Sequence, residues 1–234
     1  MKHFATMLKP LALSIALFAI VAATQGVAMA DEITVAGNTN GCFGAGCTPP
    51  STNGAQQQTT LLGLTYQNST FNGTTSNNFL AIGDQGQPPG TPNVDNFGSF
   101  TLNGQPAIYN GESFTLRVTF TMPQGINGAN TTTFTADLRG SVTSNDVGGV
   151  FVDFDNTVRQ FNFSFVDSNG QTQFGSFTLQ VNDVSVIAGG TIGVSGNITG
   201  QQSAVPEPAT MILLGTGLAG VAAKIRRRRK SERA

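Results

Sequence analysis

The chain has 234 residues, and its formal net charge of -1 hides an uneven distribution. All the lysines lie outside residues 31–203, where eleven acidic side chains stand against three arginines (Arg117, Arg139 and Arg159), a formal charge of −8. Nucleic acid is excluded as a partner, because counterion release needs clustered Lys and Arg. The single histidine, His3, lies near the N-terminus. The rest of the chain therefore has no imidazole for a Ser-His-Asp or Cys-His nucleophile or for a His-ligated metal.

Residues 1–30 carry Lys2, His3 and Lys9, then an apolar run over 11–23, then Ala28-Met29-Ala30. Charged, apolar and small-residue regions in that order predict a secretory signal peptide, with cleavage between Ala30 and Asp31 by signal peptidase after delivery to the export machinery. The apolar run is shorter than the ~20 residues a membrane span needs. Cys42 and Cys47, the only cysteines, enclose Phe43-Gly44-Ala45-Gly46. In an exported chain a disulfide between them is the expectation, since the intervening glycines let the chain bend back. A metal site there would need two further ligands.

Residues 31–203 read as one domain. Residues 49–58 and 83–96, rich in Pro, Gly, Gln and Asn, are expected loops. Strand signals begin weakly at Phe100 and Leu102 and become strong in 113–122. There Phe114, Leu116, Val118, Phe120 and Met122 alternate with Thr115, Arg117, Thr119 and Thr121, a period of two that marks a half-buried strand. The pattern returns at Phe134, Ala136 and Leu138; at Phe161, Phe163 and Phe165; at Phe177, Leu179 and Val181; and weakly at Ile192 and Val194. Glycine and Asn/Asp-rich breaks separate these runs at 125–128, 146–149, 167–170 and 189–190. The expected fold is all-β, an antiparallel β-sandwich of jelly-roll or Ig-like type, followed by a single C-terminal hydrophobic helix. With no Trp and only Tyr66 and Tyr109, its core must be built largely from phenylalanine, of which the domain holds fifteen of the chain's 17, together with Val, Leu and Ile.

Candidate sites within this domain are few. Asp153 and Asp155 lie two apart, so on a strand both carboxylates point the same way. With Asp146 or Asn156 they could offer oxygen ligands to calcium, although a solvated strand face explains them equally; Asp183 with Asn182 is a similar pair. No other cofactor is expected. A glycosidase would need Glu112 opposite a second carboxylate across a cleft, a geometry that spacing cannot supply. Asn-x-Ser/Thr triplets at Asn68, Asn72, Asn130, Asn162 and Asn197 are read as surface composition. No catalytic residues are assigned, and the chain is expected not to be an enzyme. A carbohydrate-binding module is the alternative, to be decided by exposed aromatic residues, and a hydrolase is the third reading.

The C-terminal segment, residues 204–234, has three parts. Val205-Pro206-Glu207-Pro208 breaks any structure arriving from the domain. Uncharged residues follow, opened by Ala209 and closed by Ala223, with Gly215, Gly217 and Gly220 forming a small-residue side that would let another membrane helix approach. Lys224, Arg226, Arg227, Arg228, Arg229 and Lys230 complete it as a basic cluster that stays cytoplasmic. This order closely resembles the PEP-CTERM sorting signal of Gram-negative bacteria. The resemblance implies that the helix spans the inner membrane until a membrane-embedded exosortase recognises and cleaves the tail. It also implies a final location at the cell surface or in an extracellular, biofilm or exopolysaccharide matrix; the two targeting ends, together with the lack of a catalytic constellation, lead to the expectation of a structural or adhesive role there. The resemblance implies no fold for the domain in front of the tail.

Overall fold

The computed structural model describes residues 32–51, 57–83, 96–143, 147–166, 168, 170, 172–203, 214–218 and 220–221. The chain divides into a unit of residues 30–205 and a second made of residues 1–29 and 206–234. In the second unit, residues 214–218 and 220–221 are helical and exposed.

The larger unit is all-β. Its strands are β1 (Thr34–Phe43), β2 (Gln58–Leu61), β3 (Leu64–Gln67), β4 (Thr70–Thr74), β5 (Phe79–Ile82), β6 (Ser99–Leu102), β7 (Ala107–Ile108) and β8 (Glu112–Met122). They continue with β9 (Thr131–Val142), β10 (Gly148–Phe154), β11 (Arg159–Val166), β12 (Thr172–Val181), β13 (Val184–Ile187), β14 (Thr191–Gly193) and β15 (Gly196–Ser203). A 7-stranded sheet runs β13-β10-β9-β8-β1-β4, with β7 also paired to β9. Two 4-stranded sheets run β11-β12-β15-β5 and β14-β6-β3-β2. Each pairing within them is antiparallel.

One core joins the three sheets. From β8, Phe120 meets Phe161 and Phe177 of the second sheet at ring-centroid distances of 4.9 and 4.8 Å. From the same face of β8, Phe114 meets Tyr66 and Phe100 of the third sheet, both at 4.9 Å. The first sheet therefore covers both others, and phenylalanine supplies the bridging area, as a tryptophan-free composition requires. The alternation in 113–122 carries through to the packing: Phe114, Leu116, Val118 and Phe120 are buried. Met122 is the departure. It is exposed because the β1–β8 ladder shifts register after Gly37↔Phe120: Thr121 is an extra residue, which sets Met122 opposite Ala36 on the outward face.

β1 carries no such apolar pattern, yet it lies between β8 and β4 inside the sheet. Its inward positions are Val35, which pairs with Gly73 of β4, and Gly37, Thr39, Gly41 and Phe43, which stand opposite Phe120, Val118, Leu116 and Phe114 of β8. A Cβ at Gly41 would overlap the rings of Phe114 and Tyr66, and one at Gly37 would overlap Phe71. These glycines are notches filled by neighbouring rings, which replaces the missing side chains in the packed volume. Thr39 is buried as well, but its hydroxyl accepts from the Ser69 N–H at 3.1 Å and lies 2.9 Å from the Tyr66 hydroxyl. Tyr66 in turn donates to the Phe97 carbonyl at 2.8 Å. Burial raises its phenol above the ordinary tyrosine range, against a smaller lowering by Thr39.

Candidate functional site

Cys42 sits near the end of β1, and the chain turns through Gly44 and Gly46, both at positive φ, to reach Cys47. The two sulfurs are joined, with a Cα–Cα distance of 6.1 Å. Gly44 N–H donates to the Ser113 carbonyl at 2.9 Å, and Phe43 packs on Phe114 at 5.0 Å, so the turn is fastened to the start of β8. A recess of about 290 Å³ lies beside it, lined by Asn40, Thr48, Gln57 and Thr59 among others. With both sulfurs in the bridge, this recess contains no thiol for nucleophilic chemistry.

Asp153 and Asp155 lie toward the end of the outward face of β10 and just past it, beside a recess of about 180 Å³ that Asp137 and Thr135 also line. Asp153 stands directly opposite Asp137 of β9. Arginines compensate this acidity: Arg139 meets Asp153 at 2.8 Å, and Arg159 meets Asp155 at 2.9 Å. Arg159 also donates to the Thr133 carbonyl at 3.2 Å and lies 5.2 Å over the Phe134 ring. A cation at Asp153 and Asp155 would have to displace both guanidinium groups. Among the described residues, no group of three or more His, Cys, Asp or Glu is arranged to hold a metal ion.

Asp183 performs a local structural task. Its carboxylate accepts from the Phe154 N–H at 2.8 Å and from Asn156 Nδ2 at 3.3 Å, which clamps the end of β10. Asn182 donates instead to the Ser195 hydroxyl at 3.1 Å. Asp146 lies outside the described residues. Glu112 opens β8 opposite Leu138; the recess with Asp137, Asp153 and Asp155 does not include it.

The C-terminal end of the domain is placed with more consequence. β15 is an inner strand, paired with β12 through Ser203↔Phe174 and with β5 along its first half. The ladder thus persists to the residue before the tail begins. Gly215, Gly217 and Gly220 are helical. Val205, Pro206, Glu207, Pro208, Ala209, Ala223, Lys224, Arg226, Arg227, Arg228, Arg229 and Lys230 lie outside the described residues, as do Ala28, Ala30 and Asp31 at the other end. Among the described residues, no helix is long and apolar enough to cross a membrane.

A folded β-domain whose inner strand feeds directly into a Pro-Glu-Pro, apolar and basic sequence defines a chain with a C-terminal sorting signal. The family model of the PEP-CTERM protein-sorting motif matches residues 204–229. The motif makes exosortase the processing partner and the cell surface or exterior the destination. No curated protein and no solved structure matches the chain.

Sequence reasoning missed the outward face of the second sheet. The alternation of Gln160, Asn162 and Ser164 with Phe161, Phe163 and Phe165 gave half of the signal. Glycine-rich β15 and short β5, which complete that face, gave none.

Proposed function

We propose that this is a secreted, non-enzymatic protein that the exosortase system sorts to the cell surface or extracellular matrix, where it has a structural or adhesive role. Residues 1–30 are removed before Asp31 after export. The tail holds the chain in the inner membrane through the helix opened by Ala209 until processing near Pro206-Glu207-Pro208. The domain between the two signals is a β-sandwich, a reading supported by the ring contacts from Phe120 and Phe114 across facing sheets. The observation that carries the functional reading is the sorting motif at residues 204–229, beginning one residue after the last ladder pair of β15. Supporting the non-enzymatic part, the two cysteines are bridged and the Asp153 and Asp155 carboxylates are each met by an arginine.

The test is mass spectrometry of both terminal peptides in membrane, matrix and culture fractions of the native host. The expected product starts at Asp31 and ends near residues 205–208, outside the membrane fraction. Recovery of the intact tail in membranes alone, or a distribution unchanged by deletion of the exosortase, would overturn the reading.

A further inference from the structure

The outward face of the second sheet has a chemistry of its own. Directly opposed residues place Gln160, Thr178, Thr199 and Phe79 in one row across β11, β12, β15 and β5. Asn162, Ser176 and Gln201 form a parallel row, and Phe174 lies beyond it opposite Ser164. Every described side chain on this face is uncharged. Phe79 and Phe174 are 49% and 54% exposed, on a domain that buries most of its phenylalanines. Phe79 stands opposite Thr199 and Phe174 opposite Ser203, on strands that flank β15. Strand geometry puts the two rings about 13 Å apart along the strands and about 10 Å apart across them. The span is that of a few sugar rings.

The charge pattern decides among occupants. A polyanion or polycation would meet no countercharge here, and an anionic membrane surface would find no lysine or arginine. A wholly apolar partner would strip water from two rows of amides and hydroxyls without replacing its hydrogen bonds. A neutral polyhydroxylated polymer fits both features: amides and hydroxyls donate to and accept from its hydroxyls, and exposed phenyl faces receive its C–H faces.

We infer that this face binds a strand of neutral polysaccharide laid across β12, β15 and β5 between Phe174 and Phe79. The inference rests on the proposed matrix-retained role and assigns that role a surface. The test uses the protein as purified from its host, run by affinity electrophoresis in gels containing hydroxyethyl cellulose, galactomannan or, as the anionic comparison, alginate. Retention is expected in a neutral gel. It should fall about tenfold when Phe79→Ala and Phe174→Ala are combined, as loss of two stacked rings implies. Phe79→Tyr with Phe174→Tyr should keep retention, and Asp153→Asn on the first sheet should leave it unchanged. Matching thermal melts would show that the alanine variant is folded; if it is not, Thr199→Glu, which puts a charge into the row, replaces it and should weaken retention likewise.

Retention unchanged in every folded variant of the face would overturn the surface. Retention by alginate alone, or by no polymer, would overturn the ligand class. Self-association in sedimentation that disappears with the two alanines would make the face a contact between copies and overturn the inference. The distribution of unaltered protein in the host separates the two levels: absence from both the cell surface and the matrix defeats the proposed role, whereas retention there unaffected by the alanines defeats only the face.

Discussion

β8 and β1 are neighbours in the same sheet and line the same core, but they do so in opposite ways. β8 sends four large side chains inward, and each is buried. β1 presents glycines at Gly37 and Gly41 and a hydroxyl at Thr39, and receives rings from Phe71, Phe114 and Tyr66. The two strands reach similar packing by complementary routes, one as projections and one as notches. The difference shows that what a central strand must supply is correct volume, which neighbouring strands can provide in its place.

The largest expected effect comes from removing a projection. Phe120 contacts Phe71, Phe161 and Phe177, so Phe120→Ala should cost about 3–5 kcal/mol in urea unfolding, with the midpoint lowered. Filling a notch should follow. Gly41→Val drives a side chain into Phe114 and Tyr66 and should cost about 1–3 kcal/mol. Adding Phe114→Leu should recover part of that loss if the notch account is right. An unaltered midpoint in Gly41→Val would break the comparison.

The polar link between β1 and β3 gives the next test. Tyr66→Phe leaves the Phe97 carbonyl without that donor and should cost about 1–3 kcal/mol. Because burial holds the folded-state phenol above its unfolded value, the folded protein retains a proton that the unfolded chain releases. The contribution is complete below the unfolded tyrosine pKa of about 10 and is lost as pH rises beyond it. Stability of the unaltered protein should therefore decline above pH ~10, more steeply than in Tyr66→Phe. Tyr109, whose phenol burial also raises, contributes a slope of the same sign in both proteins. The smallest effect belongs to the outward face: Arg139→Ala, which removes a solvent-exposed partner of Asp153, should change stability by less than about 1 kcal/mol in the same unfolding assay.

The alternation along 113–122 made β8 legible because each inward residue is itself apolar. The strands carrying Phe134, Phe161 and Phe177 were legible for the same reason. β1 was not, because its alternation is between glycine or threonine and asparagine, and a notch carries no signal until the ring that fills it is known. The same holds for β15, whose Gly196 and Gly200 sit against β12 and neighbouring rings.

Among the candidate sites, the Cys42–Cys47 spacing was readable locally. Arg159 stands four residues from Asp155 and was within local reach, whereas Arg139 meets Asp153 only through the pairing of β9 with β10. The sorting segment needed no tertiary information: the motif at residues 204–229 is a linear order of proline, apolar and basic parts, and a linear order is written in the chain. The uncharged face with Phe79 and Phe174 lies at the other extreme. Its rows draw on four strands separated by as many as 122 positions, from Phe79 to Gln201, and exist only where antiparallel register brings those positions side by side.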